Sequence, residues 1–189
     1  MIRIGILGEI GSGKSFVAKK FGYPVFNADF EVSKLYKKNK KLFNNLKKIL
    51  PNYIYSFPIN KNEITNAVLA NDINLKKIVS IVHKEVRKKM LLFLEKNKNK
   101  KFVILDIPLL LENKINTKND ILIFVDSKKK DIEKRLINRP SFNMRLFKKF
   151  KKIQFKRDYK RKKSDYVLKN KFTEISVKKE IKKILNHII

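Results

Sequence analysis

Eight consecutive residues near the start of the chain, Gly8-Glu9-Ile10-Gly11-Ser12-Gly13-Lys14-Ser15, fit the pattern G-x-x-x-x-G-K-[ST] without a gap. Residues of these types at this spacing make a phosphate cradle. Gly8, Gly11 and Gly13 let the loop wrap so that successive backbone N–H groups, Ser12's among them, point at phosphate oxygens. A helix beginning near Gly13 adds its positive N-terminal end. Lys14 reaches the β- and γ-phosphates, the Ser15 hydroxyl ligates Mg²⁺, and Phe16 offers a backbone N–H to the α-phosphate. A chance match in a glycine-containing turn is the alternative. Context argues against it, because an apolar run precedes the octet and a helical pattern follows. Glycine is also scarce, 5 in 189 residues, and most of it sits in or beside this loop. By itself the motif specifies only a bound nucleoside triphosphate.

Four further groups have chemistry to offer. Asp29 follows the short apolar pair Val25-Phe26, at the strand edge where ligands gather in open α/β sheets; an aspartate there also suits the start of a helix. Asp106 ends an apolar run and has the type and place of a second, water-mediated Mg²⁺ contact. His83 and Arg87, with Val86, share one face at helical spacing and offer a site for an anionic or hydroxyl-bearing ligand. From spacing alone a solvated helix face explains that pair better. Arg135 and Arg139 lie four apart at the end of a helical stretch, before Pro140 stops it.

These residues need a scaffold, and the hydrophobic pattern supplies one. Strands are predicted over residues 2–7, 25–26, 102–107, 121–125 and 165–168. Helices are predicted over residues 13–21, 31–50, 63–94 with an interruption near 71–72, 127–138 capped by Ser127, and 172–189. Strands alternating with helices imply an α/β class with a parallel sheet. The segment 141–163 is densely basic, with Phe142, Phe147, Phe150 and Phe155 interleaved. It reads equally as a mobile arm closing over phosphates or as a solvated basic helix.

A length of 189 residues, 43% of them hydrophobic, suits one domain with a full core. No apolar run approaches the ~20 residues of a membrane span. The N-terminus enters a strand at once, so no signal peptide is expected. Cysteine is absent, which excludes disulfides, thiolate metal sites and a cysteine nucleophile; a cytoplasmic protein is expected. The net charge is +30, from 47 Lys+Arg against 17 Asp+Glu. Nucleic-acid binding is one explanation. The excess of Lys over Arg, with frequent Asn, Ile and Phe, favours the coding bias of an AT-rich genome, plus attraction for phosphorylated ligands. The lysines are dispersed, so no specific nucleic-acid partner is expected.

Together these motifs resemble the dephospho-CoA kinase family over essentially the whole chain. The likeness rests on Gly8–Ser15; on Asn27-Ala28-Asp29 for the family's D-A-D; and on Val82-His83-Lys84-Glu85-Val86-Arg87 for H-P-x-V-R. Pro108-Leu109-Leu110-Leu111-Glu112 matches P-L-L-x-E, Arg135-Leu136-Ile137-Asn138-Arg139 matches R-L-x-x-R, and Asp165-Tyr166-Val167-Leu168-Lys169-Asn170 matches D-x-x-I-x-N. The resemblance implies a P-loop kinase fold: a parallel sheet flanked by helices (residues 1–30, 100–139 and 164–189), a helical acceptor-binding insert (about 31–99) and a lid (about 140–163). It implies transfer of the γ-phosphate of ATP, with Mg²⁺, to the ribose 3′-hydroxyl of dephospho-CoA. Asp29 would be the base near that hydroxyl, His83 and Arg87 would face the acceptor, Arg139 the ATP phosphates, and Asn170 the adenine.

The chain departs from the pattern in four places. Glu9 stands where a second glycine is usual and puts a carboxylate beside the phosphate loop. Asn27 replaces the first acid of D-A-D, and Lys84 a proline. Phe150 occupies the arginine position of the lid motif R-I-x-x-Q, leaving Arg145, Lys148 and Lys149 as its candidate substitutes. A P-loop kinase for another nucleoside or nucleotide acceptor, and a basic nucleic-acid-binding NTPase, are the competing functions; the latter wants clustered charge and a water-activating residue.

Overall fold

The computed structural model describes residues 1–140 and 142–188; Ser141 in the basic arm and Ile189 at the end of the last predicted helix lie outside the described residues. Five strands, β1 (Ile2–Leu7), β2 (Val25–Asn27), β3 (Phe102–Asp106), β4 (Ile121–Asp126) and β5 (Tyr166–Lys169), form one sheet in the order β2-β3-β1-β4-β5. Every pairing is parallel. The central strands are apolar on both faces, as a parallel sheet covered by helices requires. Ile4, Ile6, Phe102, Ile104, Ile123 and Val125 form one side of the core with Val17, Ala18, Val177, Ile181 and Ile184. The last five come from α1 (Lys14–Lys20) and α9 (Glu174–Ile188). On the other side Gly5 leaves room for Leu110: a Cβ at Gly5 would lie 2.5 Å from a Leu110 methyl. The Pro108–Glu112 segment is thereby seated directly on the central strand.

The chain divides into two compact units, one of residues 1–27, 97–143 and 147–189 and one of residues 28–96 and 144–146. The second unit is helical, built from α2 (Ala28–Lys38), α3 (Lys40–Ile49), α4 (Lys61–Ala70) and α5 (Asp72–Lys96). Residues 31–50 are predicted as one helix and form two. Asn39 takes an extended conformation and its side-chain oxygen accepts the Leu42 N–H, capping α3 afresh. Along α5, Leu75, Ile78, Val82, Val86 and Met90 are buried, so the long helix is held by its apolar stripe rather than by propensity. Glu63 is buried beneath the loop before α4. Burial works to raise its pKa, but bonds from the Ser56 hydroxyl and the Tyr55 and Ser56 N–H groups outweigh it and hold the carboxyl below its ordinary range.

Beyond β4 come α6 (Lys129–Ile137) and the basic arm, which folds into α7 (Met144–Ile153), whose first three residues group with the second unit, and α8 (Arg157–Lys162). Contrary to the sequence expectation, Ser127 does not cap α6. Lys128 holds that position without a side-chain bond, while the Ser127 hydroxyl donates elsewhere. Arg139 lies past the C-cap Asn138, so Arg135 and Arg139 do not share a helix.

Candidate active site

The phosphate loop joins β1 to α1, and glycine is required where it turns. Gly13 has φ +87°, and a Cβ there would lie 2.5 Å from the Asn170 amide nitrogen. Asn170 is buried and donates to the Ser12 carbonyl at 2.9 Å; the Ser127 hydroxyl donates to the same oxygen at 2.8 Å. Two side chains at the carboxyl ends of β4 and β5 thus brace one carbonyl in the middle of the loop. Asn170 also accepts the Phe172 N–H at 2.8 Å. Its amide is therefore engaged with the loop and the turn after β5. Ser12 is itself 1% exposed, and its N–H donates to the Glu9 carbonyl at 3.2 Å, which closes the turn inside the loop.

Lys14 opens α1, and its Nζ donates to the carbonyls of Gly8 at 3.2 Å and Glu9 at 2.8 Å. Ser15 is exposed in the first turn of α1, and Phe16 is half-buried beside it. Asp106, 2% exposed, ends β3 directly opposite Asn27 of β2, and the Asn27 amide donates to one of its carboxylate oxygens. The replacement of an acid by Asn27 thus exchanges a like-charge pair for a hydrogen bond. Arg139 is exposed just past α6. The Arg135 guanidinium lies over the Phe172 ring, 4.3 Å from its centroid, on the side of the loop where a Cβ at Gly13 would touch that ring at 2.9 Å.

Sequence reasoning missed the anchor of the basic arm. Lys160 Nζ and Glu112 Oε1 pair at 2.7 Å with side chains 2% and 8% exposed. The same oxygen accepts the Phe155 N–H at 2.8 Å. Gln154 reaches the Pro108 carbonyl at 3.4 Å. The P-L-L-x-E glutamate therefore holds the far end of the arm, while α7 contributes no buried residue. The available signal was a glutamate following a strand in a chain with few acids. Arg157, at the start of α8, pairs with Asp126 at 2.5 Å and lies 3.7 Å from Glu9. The Asp126 bond, followed by the nearby charges, raises its pKa further.

In the helical unit Asp29 is exposed in the first turn of α2; the helix begins at Ala28, so Asp29 is not its N-cap but complements the helix dipole from within the first turn. On α5 Arg87 is exposed and His83 half-buried, while Val86 turns into the core with Val82. Burial first, then the Arg87 charge, holds the His83 pKa below its ordinary value. His83 and Arg87 accordingly form the polar border of a buried stripe.

Among the described residues no group of three or more His, Cys, Asp and Glu is placed to hold a metal, and no helix is long and apolar enough to cross a membrane. The model of the dephospho-CoA kinase family matches residues 2–175. A dephospho-CoA kinase of Rickettsia typhi is 31% identical over 100% of this chain and 98% of its own length. One from the Wolbachia of Brugia malayi is 32% identical over 98% and 97%. A crystal structure of a Thermus thermophilus protein, 27% identical, superposes with a TM-score of 0.77 over 100% of this chain and 98% of that one.

Proposed function

The chain belongs to the dephospho-CoA kinase family, and from that premise we propose which of its residues carry the reaction. The family reaction transfers the γ-phosphoryl group of ATP to dephospho-CoA, giving CoA and ADP. A bond forms between the ribose 3′-oxygen and the γ-phosphorus. The bond to the β,γ-bridging oxygen breaks, and ADP keeps its electron pair. The transition state is largely dissociative, so residues act by positioning and by neutralising charge.

The observation that carries the nucleotide assignment is Lys14. Its ammonium donates to the Gly8 and Glu9 carbonyls of its own loop and so stands at the loop's mouth. A phosphate oxygen is the stronger, charge-assisted acceptor, so ATP displaces the carbonyls. The backbone N–H groups of Gly11, Ser12, Gly13, Lys14, Ser15 and Phe16 are assigned to the phosphates, with Gly8 shaping the loop and Asn170 bracing it beside the nucleotide. Arg139 is assigned to the ATP phosphates as well. The Ser15 hydroxyl and Asp106 carboxylate are hard oxygen donors of the kind Mg²⁺ takes, and two protein ligands suit an ion that keeps water and phosphate as its others. Mg²⁺ would supply neutralisation of the phosphate charge.

Asp29 is assigned to the acceptor: it accepts a hydrogen bond from the 3′-hydroxyl and receives its proton as the phosphoryl group arrives. His83, kept neutral near pH 7 by its depressed pKa, and the Arg87 cation are assigned to the acceptor's hydroxyl and anionic groups. The cysteine-free composition supports a cytoplasmic setting.

The test supplies ATP, Mg²⁺ and either dephospho-CoA or a panel of nucleosides and nucleotides, and follows ADP and product mass. Dephospho-CoA should gain one phosphate per ADP released. Preferential phosphorylation of a nucleoside, or ATP hydrolysis stimulated by DNA or RNA, would overturn the reading.

A further inference from the structure

Glu9 is an awkward residue for a phosphate loop. It stands second in the octet that wraps a polyanion, and its carboxylate repels that polyanion at short range. Asp126 adds a second carboxylate at the end of β4. Its backbone carbonyl accepts the Asn170 N–H, and its neighbour Ser127 donates to the loop. One cation meets both: Arg157 bonds Asp126 at 2.5 Å and lies 3.7 Å from Glu9. Arg157 also opens a helix, where the dipole disfavours a positive charge. Local preference does not account for an arginine there, and the two carboxylates do. The backbone that carries it is pinned on both sides, by the Phe155 N–H on Glu112 and by the buried Lys160–Glu112 pair. The guanidinium is thus delivered to the loop from a fixed base.

We propose that Arg157 is a positioning residue for the nucleotide, cancelling the Glu9 carboxylate that this chain places beside the incoming triphosphate. The proposal rests on the reading that the loop binds ATP. Without Arg157, Glu9 and Asp126 lose the cation that meets both of them beside the loop. Arg157 acts through Glu9, so its effect falls on nucleotide affinity and grows with the number of phosphates.

Isothermal titration calorimetry of the full chain with ATP, ADP and AMP, without acceptor, tests this. Arg157→Gln should weaken ATP binding about five- to tenfold, ADP less and AMP least, and the loss should shrink in high salt. Adding Glu9→Gln to Arg157→Gln should restore most of the ATP affinity. Equal losses for all three nucleotides would indicate mere structural loosening and overturn the proposal. Failure of Glu9→Gln to rescue would overturn it too, since Arg157 would then act on the phosphates directly. Should Arg157→Gln fail to fold, Glu9→Gln alone decides: it should leave ATP binding equal or tighter, and weaker binding overturns the idea. A wild type that binds ATP but ignores Arg157→Gln sinks this pair and leaves the functional reading standing. A wild type that binds no ATP sinks both.

Discussion

In the phosphate loop the groups that would meet a ligand belong mainly to the backbone, and buried side chains from β4 and β5 hold them. Ser127 and Asn170 both donate to the Ser12 carbonyl, and Gly13 is packed against Asn170. On α2 and α5 the corresponding groups are side chains: Asp29 and Arg87 are exposed and His83 is half-buried. The first site is preorganised by the fold. The second set lies on helix surfaces, and α5, which carries His83 and Arg87, is held by its buried stripe from Leu75 to Met90. The difference sets what each tolerates. A change at a brace should alter the loop's shape, whereas a change at Asp29, if it takes the proposed role, should remove a reagent and leave its helix intact.

The largest expected effect breaks the comparison at its chemical end. Asp29→Asn should leave ATP affinity near wild type and slow transfer by ~10²–10⁴-fold, the range for a lost general base. Calorimetry with ATP and product formation with dephospho-CoA check both halves; wild-type turnover by this variant would remove Asp29 from the reaction. Lys14→Ala comes next. It should lower kcat by ~10²-fold or more, the scale of one lost transition-state contact, with thermal unfolding little changed. Normal turnover there would mean that the loop is not a catalytic cradle.

A stability measurement sharpens the contrast. Glu112→Ala leaves Lys160 buried without its counter-charge and should cost about 3 kcal/mol in denaturant unfolding. Replacing the pair together, Glu112→Leu with Lys160→Met, should recover much of that loss. Asn170→Ala removes one of the two braces on Ser12 and should cost about 1–2 kcal/mol, read as weaker ATP binding with kcat less affected. The smallest effect concerns His83. Its folded pKa is depressed, so the unfolded chain binds the extra proton more readily. The stability it contributes is present above about pH 6.5, the unfolded value, and is lost as pH falls through the folded one. His83→Gln should flatten the acid side of the stability–pH curve; an unchanged slope would show that His83 does not contribute to it.

The sheet was legible because buried parallel strands are near-continuous apolar runs, and all five were found within a residue or two. The break at Asn39 was not. The apolar spacing of residues 31–50 continues through it, and a capping side chain competes with the helix only where the backbone already turns. Ser127 misled for a related reason. A serine before a helix suits an N-cap, but here a loop carbonyl 115 positions away in sequence competes successfully for its hydroxyl. The basic arm was readable only as charge. Nothing local in Lys160 distinguishes it from the lysines around it.

The sequence by itself determined the glycine-rich turn between β1 and α1 and the family. Its octet specifies backbone conformation, which depends on residue type and short-range order, and the other motifs follow in fixed sequence along the chain. Tertiary structure alone decided which polar side chains find each other over long separations: Asn170 with Ser12, Lys160 with Glu112, Arg157 with Asp126 and Glu9. Those pairings are set by where strands β4 and β5 and helix α8 end in space. Local propensity and hydrophobic period do not encode that position, because it is the packed sheet that brings the ends together.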